Sequence, residues 1–367
     1  MRIQGEHYET IRIETSGTPA VSIIDQTGLP FAFRFRTLRS FNEVFSSIRD
    51  MRVRGAPLIG VAAACGIWLG LEETDSAADL KETVRSLCKR MEKARPTAVN
   101  LHCAVKKMET FLENTGTLAD ARETALIFAE NLKRSEIGAC RAIGKHGFPL
   151  IKEIAEKKKG APVNILTHCN AGWLACVDWG TATAPVYKAH REGIPVHVWV
   201  DETRPRLQGS RLTAFELKEE GVPHTVITDN AGGHLMQHGM VDIVLVGSDR
   251  TTRCGDVCNK IGTYLKALAA YDNHVPFYAA LPVSSIDTGL CDGAVEIPIE
   301  ERGGDEVIFA EGEGGRIRLL AKGSPVANYS FDVTPARLVT GLITEYGICR
   351  AEEAEILRLF QKTGKRS

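Results

Sequence analysis

Apolar positions in the first part of the chain recur at helical spacing. In 41–51, Phe41, Val44, Phe45 and Ile48 fall on one face at intervals of three, four and seven, which predicts an amphipathic helix. Similar patterns predict helices over 57–71, 80–94, 99–114, 117–135 and 136–155, after a short β-like opening at 8–13 and 20–25. The polar, turn-rich run Lys157-Lys158-Lys159-Gly160-Ala161-Pro162 breaks this rhythm and marks a boundary. It separates a mostly helical N-terminal domain, 1–155, from a second domain, 156–367. In the second domain β-branched runs at 163–167, 196–200, 225–228, 243–246 and 277–281 alternate with helical patterns at 181–192, 211–220, 231–238 and 261–273. That alternation predicts an α/β fold of βαβ units, with a parallel sheet and right-handed crossovers. Two further helices are predicted at 334–346 and 351–362.

Composition narrows the classes. The chain has 367 residues, 44% of them hydrophobic and 25% charged, which is ordinary for a folded protein and excludes disordered or fibrous readings. With 45 basic against 46 acidic side chains, no global field exists to hold nucleic acid or an anionic membrane. The apolar run 58–71 is glycine-broken and shorter than the ~18 residues of a membrane span. The opening Met1-Arg2-Ile3-Gln4-Gly5-Glu6 carries no signal-peptide core, so a cytoplasmic location is expected. The ten cysteines are scattered, and reduced thiols are expected rather than a disulfide framework.

Sites in parallel sheets lie beyond the strands' carboxyl ends, and three segments there carry chemistry. Leu166-Thr167-His168-Cys169-Asn170-Ala171-Gly172 follows the first strand of the sheet. There Cys169 reads equally as an inert buried thiol or as an acid, base or nucleophile. Val244-Leu245-Val246-Gly247-Ser248-Asp249 ends in a carboxyl that can move a proton or cap a turn. Asn259-Lys260 then offers an amide and an ammonium to a hydroxyl or phosphate. In the N-terminal half, Arg54-Gly55-Ala56-Pro57 opens a helix and would suit a phosphate, although the spacing alone favours a plain turn with a solvated Arg.

Other signals point elsewhere. Cys254 and Cys258 lack a second pair at zinc-site spacing, and His234 and His238 lack the adjoining Glu of a zinc-protease helix, so no metal is expected. Glu216-Leu217-Lys218-Glu219-Glu220 reads as a solvated helix face. Trp173 and Trp179 read as core residues.

Together the motifs resemble the methylthioribose-1-phosphate isomerase family, which is related to regulatory subunits of the translation-initiation exchange factor. The likeness runs through Ile24-Asp25-Gln26, Met51-Arg52-Val53-Arg54-Gly55-Ala56-Pro57, Ala94-Arg95-Pro96-Thr97-Ala98-Val99-Asn100-Leu101 and Thr167-His168-Cys169-Asn170-Ala171-Gly172. It continues through Asp201-Glu202-Thr203-Arg204-Pro205, Gly255-Asp256-Val257-Cys258-Asn259-Lys260-Ile261-Gly262-Thr263-Tyr264 and Phe331-Asp332-Val333-Thr334-Pro335-Ala336. The resemblance implies a Rossmann-like second domain and a cytoplasmic homodimer without cofactor. Its implied reaction interconverts 5-methylthio-α-D-ribose 1-phosphate and 5-methylthio-D-ribulose 1-phosphate, in methionine salvage. It also implies Asp249 as proton donor and Cys169 as second catalytic group, with Arg54, Gly55, Ala56, Arg95, Gln208, Asn259 and Lys260 binding the sugar phosphate.

The chain departs from the family pattern at Trp173, Cys176–Trp179, Ser248 and 327–330. A bulky Trp173 near Cys169 is expected to reshape the pocket end that takes the 5-substituent, which keeps 5-deoxyribose 1-phosphate as an alternative or additional substrate. Ribose 1,5-bisphosphate would need a further cationic cluster, and none stands beside the matched motifs. A regulatory binding subunit would need neither Cys169 nor Asp249.

Overall fold

The computed structural model describes residues 1–76, 78–95 and 98–362; Pro96 and Thr97 of the family-like run lie outside the described residues. The chain opens with a hairpin of β1 (Arg2–Ile3) and β2 (Glu6–His7). An antiparallel sheet of β3 (Ile11–Glu14), β4 (Ala20–Ile24) and β5 (Phe35–Leu38) follows. Next come α1 (Phe41–Arg49), α2 (Ala56–Glu72), α3 (Leu80–Glu92), α4 (Val99–Leu112) and α5 (Leu118–Lys158). Ser40 caps α1 by accepting the Glu43 N–H, and Thr117 caps α5 by accepting that of Asp120. The helices wrap α2, buried on every side from Pro57 to Leu71. A helix that is apolar all round belongs inside a core.

Where two helices were expected over 117–155, α5 is one helix of 41 residues. Its buried positions, among them Ala125, Ala129, Glu136, Cys140, Ile143, Gly144 and Gly147, keep a three-to-four spacing across the expected break at 135. It ends at Lys159, in the left-handed conformation.

The second half builds the main sheet. Its parallel strands are β6 (Val163–Thr167), β7 (Val196–Asp201), β8 (His224–Ile227) and β9 (Ile243–Val246). Between them lie α6 (Ala184–Arg191), α7 (Ala214–Glu219) and α8 (Ala231–Gln237). A hairpin of β10 (Arg250–Thr252) and β11 (Val257–Lys260) leads to α9 (Thr263–Asp272) and β12 (Phe277–Ala280). Beyond it lie β13 (Ile286–Asp287), the short helices α10 (Gly293–Glu296) and α11 (Asp305–Ile308), and a β14 (Phe309–Gly312)–β15 (Gly315–Arg318) hairpin. The chain closes with β16 (Phe331–Thr334), β17 (Gly341–Thr344), β18 (Gly347–Cys349) and α12 (Glu353–Lys362).

The seven-stranded sheet has the order β18-β17-β12-β9-β6-β7-β8, and only the β17–β18 pair is antiparallel. A four-stranded sheet, β13-β10-β11-β16, stands beside it. The helix expected over 334–346 is therefore replaced by the end of β16, a single 3₁₀ turn and the inner strand β17. Leu338, Val339, Leu342 and Ile343 repeat at helical spacing, but β17 is buried along its whole length and shows no alternation. Cys254 and Cys291 form a disulfide, against the expectation of reduced thiols throughout; their Cα atoms are 4.9 Å apart. Among the described residues, no helix is long and apolar enough to cross a membrane.

Candidate active site

From β6 the chain steps outward through β7 to β8, then returns to place β9 on β6's other side and continues to β12. The crevice beyond the carboxyl ends of β6 and β9 is thus the topological switch point, where sheets of this kind bind ligands. Cys169 lies two residues past the end of β6 and Asp249 three past the end of β9. Both line one cavity.

Cys169 is held in a left-handed backbone conformation, φ 65°, which costs a non-glycine residue about 1–3 kcal/mol. Two threonines fix it. Its N–H donates to Thr203 Oγ1 at 2.9 Å, and its carbonyl accepts from Thr213 Oγ1 at 2.7 Å. The Asp249 N–H donates to the Cys258 carbonyl at 3.0 Å, tying the acid to the β10–β11 hairpin. That hairpin delivers Asn259 and Lys260 to the same cavity. Lys260 is buried, donates to the Ser330 carbonyl at 2.7 Å, and lies 4.6 Å from the centre of the Phe331 ring.

The N-terminus of α2 supplies another wall. Gly55 has φ 95°, and a Cβ there would lie 2.3 Å from the Ala175 carbonyl oxygen, so only glycine permits the approach. No side chain caps α2, and Pro57 sits in its first turn, leaving helix-end N–H groups beside the cavity. The Arg54 guanidinium is anchored by Nη2, which donates to the Asn170 side-chain oxygen and, at 3.2 Å, to the Asn170 carbonyl. Arg54 Nε, Arg95 Nε and Gln208 Oε1 are buried with no hydrogen-bond partner among the described residues. Three cavity-lining residues that each carry an unpaired buried polar atom are the mark of a polar ligand's site.

Electrostatics divides the cavity's groups. Burial pushes the Asp249 carboxyl above its ordinary range, with Lys260, Arg95 and Arg54 pulling the other way. Burial also raises the Cys169 thiol, against the pull of Arg54 and Lys260. Lys260 and Arg54 are themselves lowered by burial, and the nearby thiol and carboxyl oppose that shift. Acid, thiol and cations form one coupled set.

All nine residues named from the family likeness line this cavity: Arg54, Gly55, Ala56, Arg95, Cys169, Gln208, Asp249, Asn259 and Lys260. Trp173 does not. It is fully buried in the core, so the expectation that it shapes the pocket end is overturned. Cys176, in the same departure, does reach the cavity. The apolar wall is instead built by Ile59, Val99, Pro282, Ile297 and Pro298.

Sequence reasoning missed His168 and Glu216. His168 lines the cavity, with Nδ1 2.8 Å from Asp201 Oδ2 and Nε2 2.8 Å from the Ile261 carbonyl, joining the Cys169 loop to the Lys260 segment. It stood inside the Thr167–Gly172 run, beside the cysteine that drew attention. Glu216, expected on a solvated face, is fully buried. Its one signal was helical: it lies four residues after the buried Leu212, on that residue's face.

His168, Asp201 and Asp229 lie close enough to ligate a metal. Lys266 already supplies the cation there, its ammonium 3.1 Å from Asp201 Oδ2 and bonded to the Asp229 carbonyl. The Asp229 carboxylate is also engaged, accepting the N–H groups of Thr203 at 2.6 Å and Arg204 at 2.7 Å.

Residues 52–351 match the model of the initiation factor 2 subunit family. A methylthioribose-1-phosphate isomerase of Methylorubrum populi is 55% identical over 372 aligned positions, covering 100% of both chains. The solved 5-methylthioribose 1-phosphate isomerase of Pyrococcus horikoshii superposes with a TM-score of 0.83, at 36% identity over 97% of each chain. A structure titled as the delta subunit of translation initiation factor eIF-2B from A. fulgidus matches about as well, with TM-score 0.81 and 36% identity over 97% of this chain and 100% of its own. The solved structures therefore leave isomerase and initiation factor level, and the full-length relatives separate them. The chain belongs to the methylthioribose-1-phosphate isomerase family, within the wider initiation factor 2 subunit family.

Proposed function

We propose that the chain is an aldose–ketose isomerase converting 5-methylthio-α-D-ribose 1-phosphate to 5-methylthio-D-ribulose 1-phosphate. The observation that carries this reading is the meeting of Asp249 and Cys169 in one cavity with Arg54, Arg95 and Lys260. A 1-phosphate locks the sugar as a cyclic acetal, so an acid must first release the ring oxygen. Asp249 is suited to that step, because burial holds its carboxyl protonated beyond the ordinary range. The cations and the start of α2 receive the phosphate, which orients C1 and C2 for the hydrogen shift.

Asp249 donates its proton to the ring oxygen as the C1–O bond opens. Hydrogen passes from C2 to C1 with its electron pair, and the C2 hydroxyl returns its proton to the Asp249 carboxylate. Protons and electrons balance, and the acid is restored. A thiol raised by burial is a poor base, so Cys169 serves as a neutral partner beside the developing charge rather than as the proton carrier. Turnover in heavy water tests this step. A hydride shift leaves C1 free of solvent deuterium, whereas deuterium at C1 would put Cys169 back as proton carrier.

The apolar wall of Val99, Ile297 and Pro298 takes the 5-substituent. It discriminates by contact alone, so the 5-deoxy analogue is a second, poorer substrate. Arg250 also lines the cavity, but Asp287 answers its charge at 2.6 Å, which leaves a 5-phosphate without that cation. We also read the enzyme as a cytoplasmic homodimer; sedimentation at micromolar concentration tests for the dimer. Assay of the purified chain on the methylthio sugar phosphate tests the whole reading, and absence of ketose product would overturn it.

A further inference from the structure

Glu216 enters none of the steps above, yet it is among the most completely engaged side chains near the cavity. Its carboxylate is fully buried and takes four donors, two on each oxygen. Oε1 accepts from Asn170 Nδ2 at 2.8 Å and the Leu174 N–H at 2.9 Å, and Oε2 from the Trp173 N–H at 3.0 Å and the Tyr187 hydroxyl at 2.8 Å. Gly172 lets it in: a Cβ at that position would stand 1.7 Å from Oε2.

The consequence falls on Asn170. An amide can turn either its oxygen or its nitrogen toward a neighbour, and its bonding partners decide which. Asn170 Nδ2 donates to both Glu216 Oε1 and Thr213 Oγ1, the latter at 3.1 Å, so its oxygen must face the other way. That oxygen accepts from Arg54 Nη2. Arg54 in turn lines the cavity and keeps Nε buried and unpaired. A run of three side chains thus leads from α7, under the Cys169 loop, to the cation at the head of α2.

We propose that Glu216 is the positioning residue for the Arg54 anion contact. By fixing the Asn170 amide it sets the guanidinium's orientation, and through it the affinity for the substrate's phosphate. Glu216 touches no reacting atom. The proposal rests on the reading of Arg54 as a phosphate contact, and the experiment separates the two.

The test uses the full chain. Inorganic phosphate binding is measured by calorimetry, together with KM, kcat and Tm, for wild type, Glu216→Gln, Asn170→Ala and the double variant; Lys218→Gln, on the exposed side of α7, is the control. The Gln variant keeps the shape but presents an NH2 group where two donors converge. Its phosphate Kd and KM are expected to rise ten- to a hundredfold, with kcat changed less than threefold. Asn170→Ala, which leaves the other three donors to Glu216 in place, is expected to match it. The double variant should be no worse than either single one, because both break the same link.

Wild-type phosphate affinity in Glu216→Gln with only a lower Tm would make the residue structural and overturn the proposal. So would a fall in kcat at unchanged KM. If Glu216→Gln does not fold, wild-type phosphate affinity in Asn170→Ala overturns it equally. Wild-type protein that binds no phosphate overturns it too. Wild-type protein that binds phosphate but does not isomerise the sugar leaves this relay standing and removes the function instead.

Discussion

Two carboxyls near the Cys169 loop, Glu216 fully buried and Asp249 half-buried, differ in a way that bears on their proposed roles as bolt and reagent. Beneath the loop, Glu216 has four donors and Gly172 pressed against it. Above it, Asp249 opens onto the cavity, with no hydrogen bond to its carboxyl among the described residues and the cations Lys260, Arg95 and Arg54 around it. Burial raises both acids, Glu216 to about 7. The difference lies in what each can still do. Glu216 lies away from the cavity and has no reacting atom to hand its proton to, whereas a carboxyl facing the cavity can donate one and recover it.

The widest separation between them should come from amide substitution. Asp249→Asn keeps the shape and removes the acid, and kcat is expected to fall about a thousandfold with phosphate affinity and Tm near wild type. A smaller loss, about a hundredfold, is expected for Cys169→Ser, whose hydroxyl is a harder and less polarizable neighbour for the moving charge. Steady-state kinetics with a thermal melt on each protein checks both. An Asp249→Asn enzyme with wild-type kcat would end the distinction between the two acids.

Stability against pH gives a second separation. Glu216 keeps its proton up to about pH 7 when folded, while an unfolded glutamate releases it near 4.5. Between those values the folded chain binds the extra proton, so this contribution favours folding fully below 4.5 and is lost as pH rises to 7. The span corresponds to about 3 kcal/mol. The charged and titratable groups facing it are Arg54 and the Tyr187 hydroxyl. In Glu216→Gln that part of the slope should vanish from denaturation midpoints measured across the interval. A slope equal to wild type would mean that Glu216 ionises normally in the fold.

The two acids also differed in how far they could be read from sequence. Asp249 was legible because it follows a β-branched run and a glycine, and position at a strand's end is a property of local order. Cys169 was legible for the same reason, Asn259 and Lys260 for their place at the start of a predicted helix, and the strands of the sheet from β6 to β12 fall where the β-branched runs put them. Glu216 was hidden because burial is decided by what packs against a helix, and Lys218, Glu219 and Glu220 around it argue for water. β17 was misread because a strand buried on both faces loses its alternation. The Cys254–Cys291 bond escaped because its partners are 37 residues apart and meet only through the fold. The cavity's apolar wall was likewise assigned to Trp173, the nearest large side chain in sequence, when Val99 and Ile297 supply it from distant segments.

That misassignment gives the smallest expected effect. Trp173 lies wholly in the core, and its indole N–H is buried without a partner among the described residues, so Trp173→Phe removes volume there without exposing a new polar group. It should lower Tm while leaving the ratio of kcat/KM for the methylthio- and 5-deoxyribose 1-phosphates where it was. Ile297→Ala acts on the wall itself. It should weaken preference for the methylthio substrate by a few-fold, within the about 1–3 kcal/mol that one small apolar group contributes to discrimination. If Trp173→Phe moves the ratio and Ile297→Ala does not, the core reaches the substrate through the Cys176 segment and the division between bolt and reagent has been drawn too sharply.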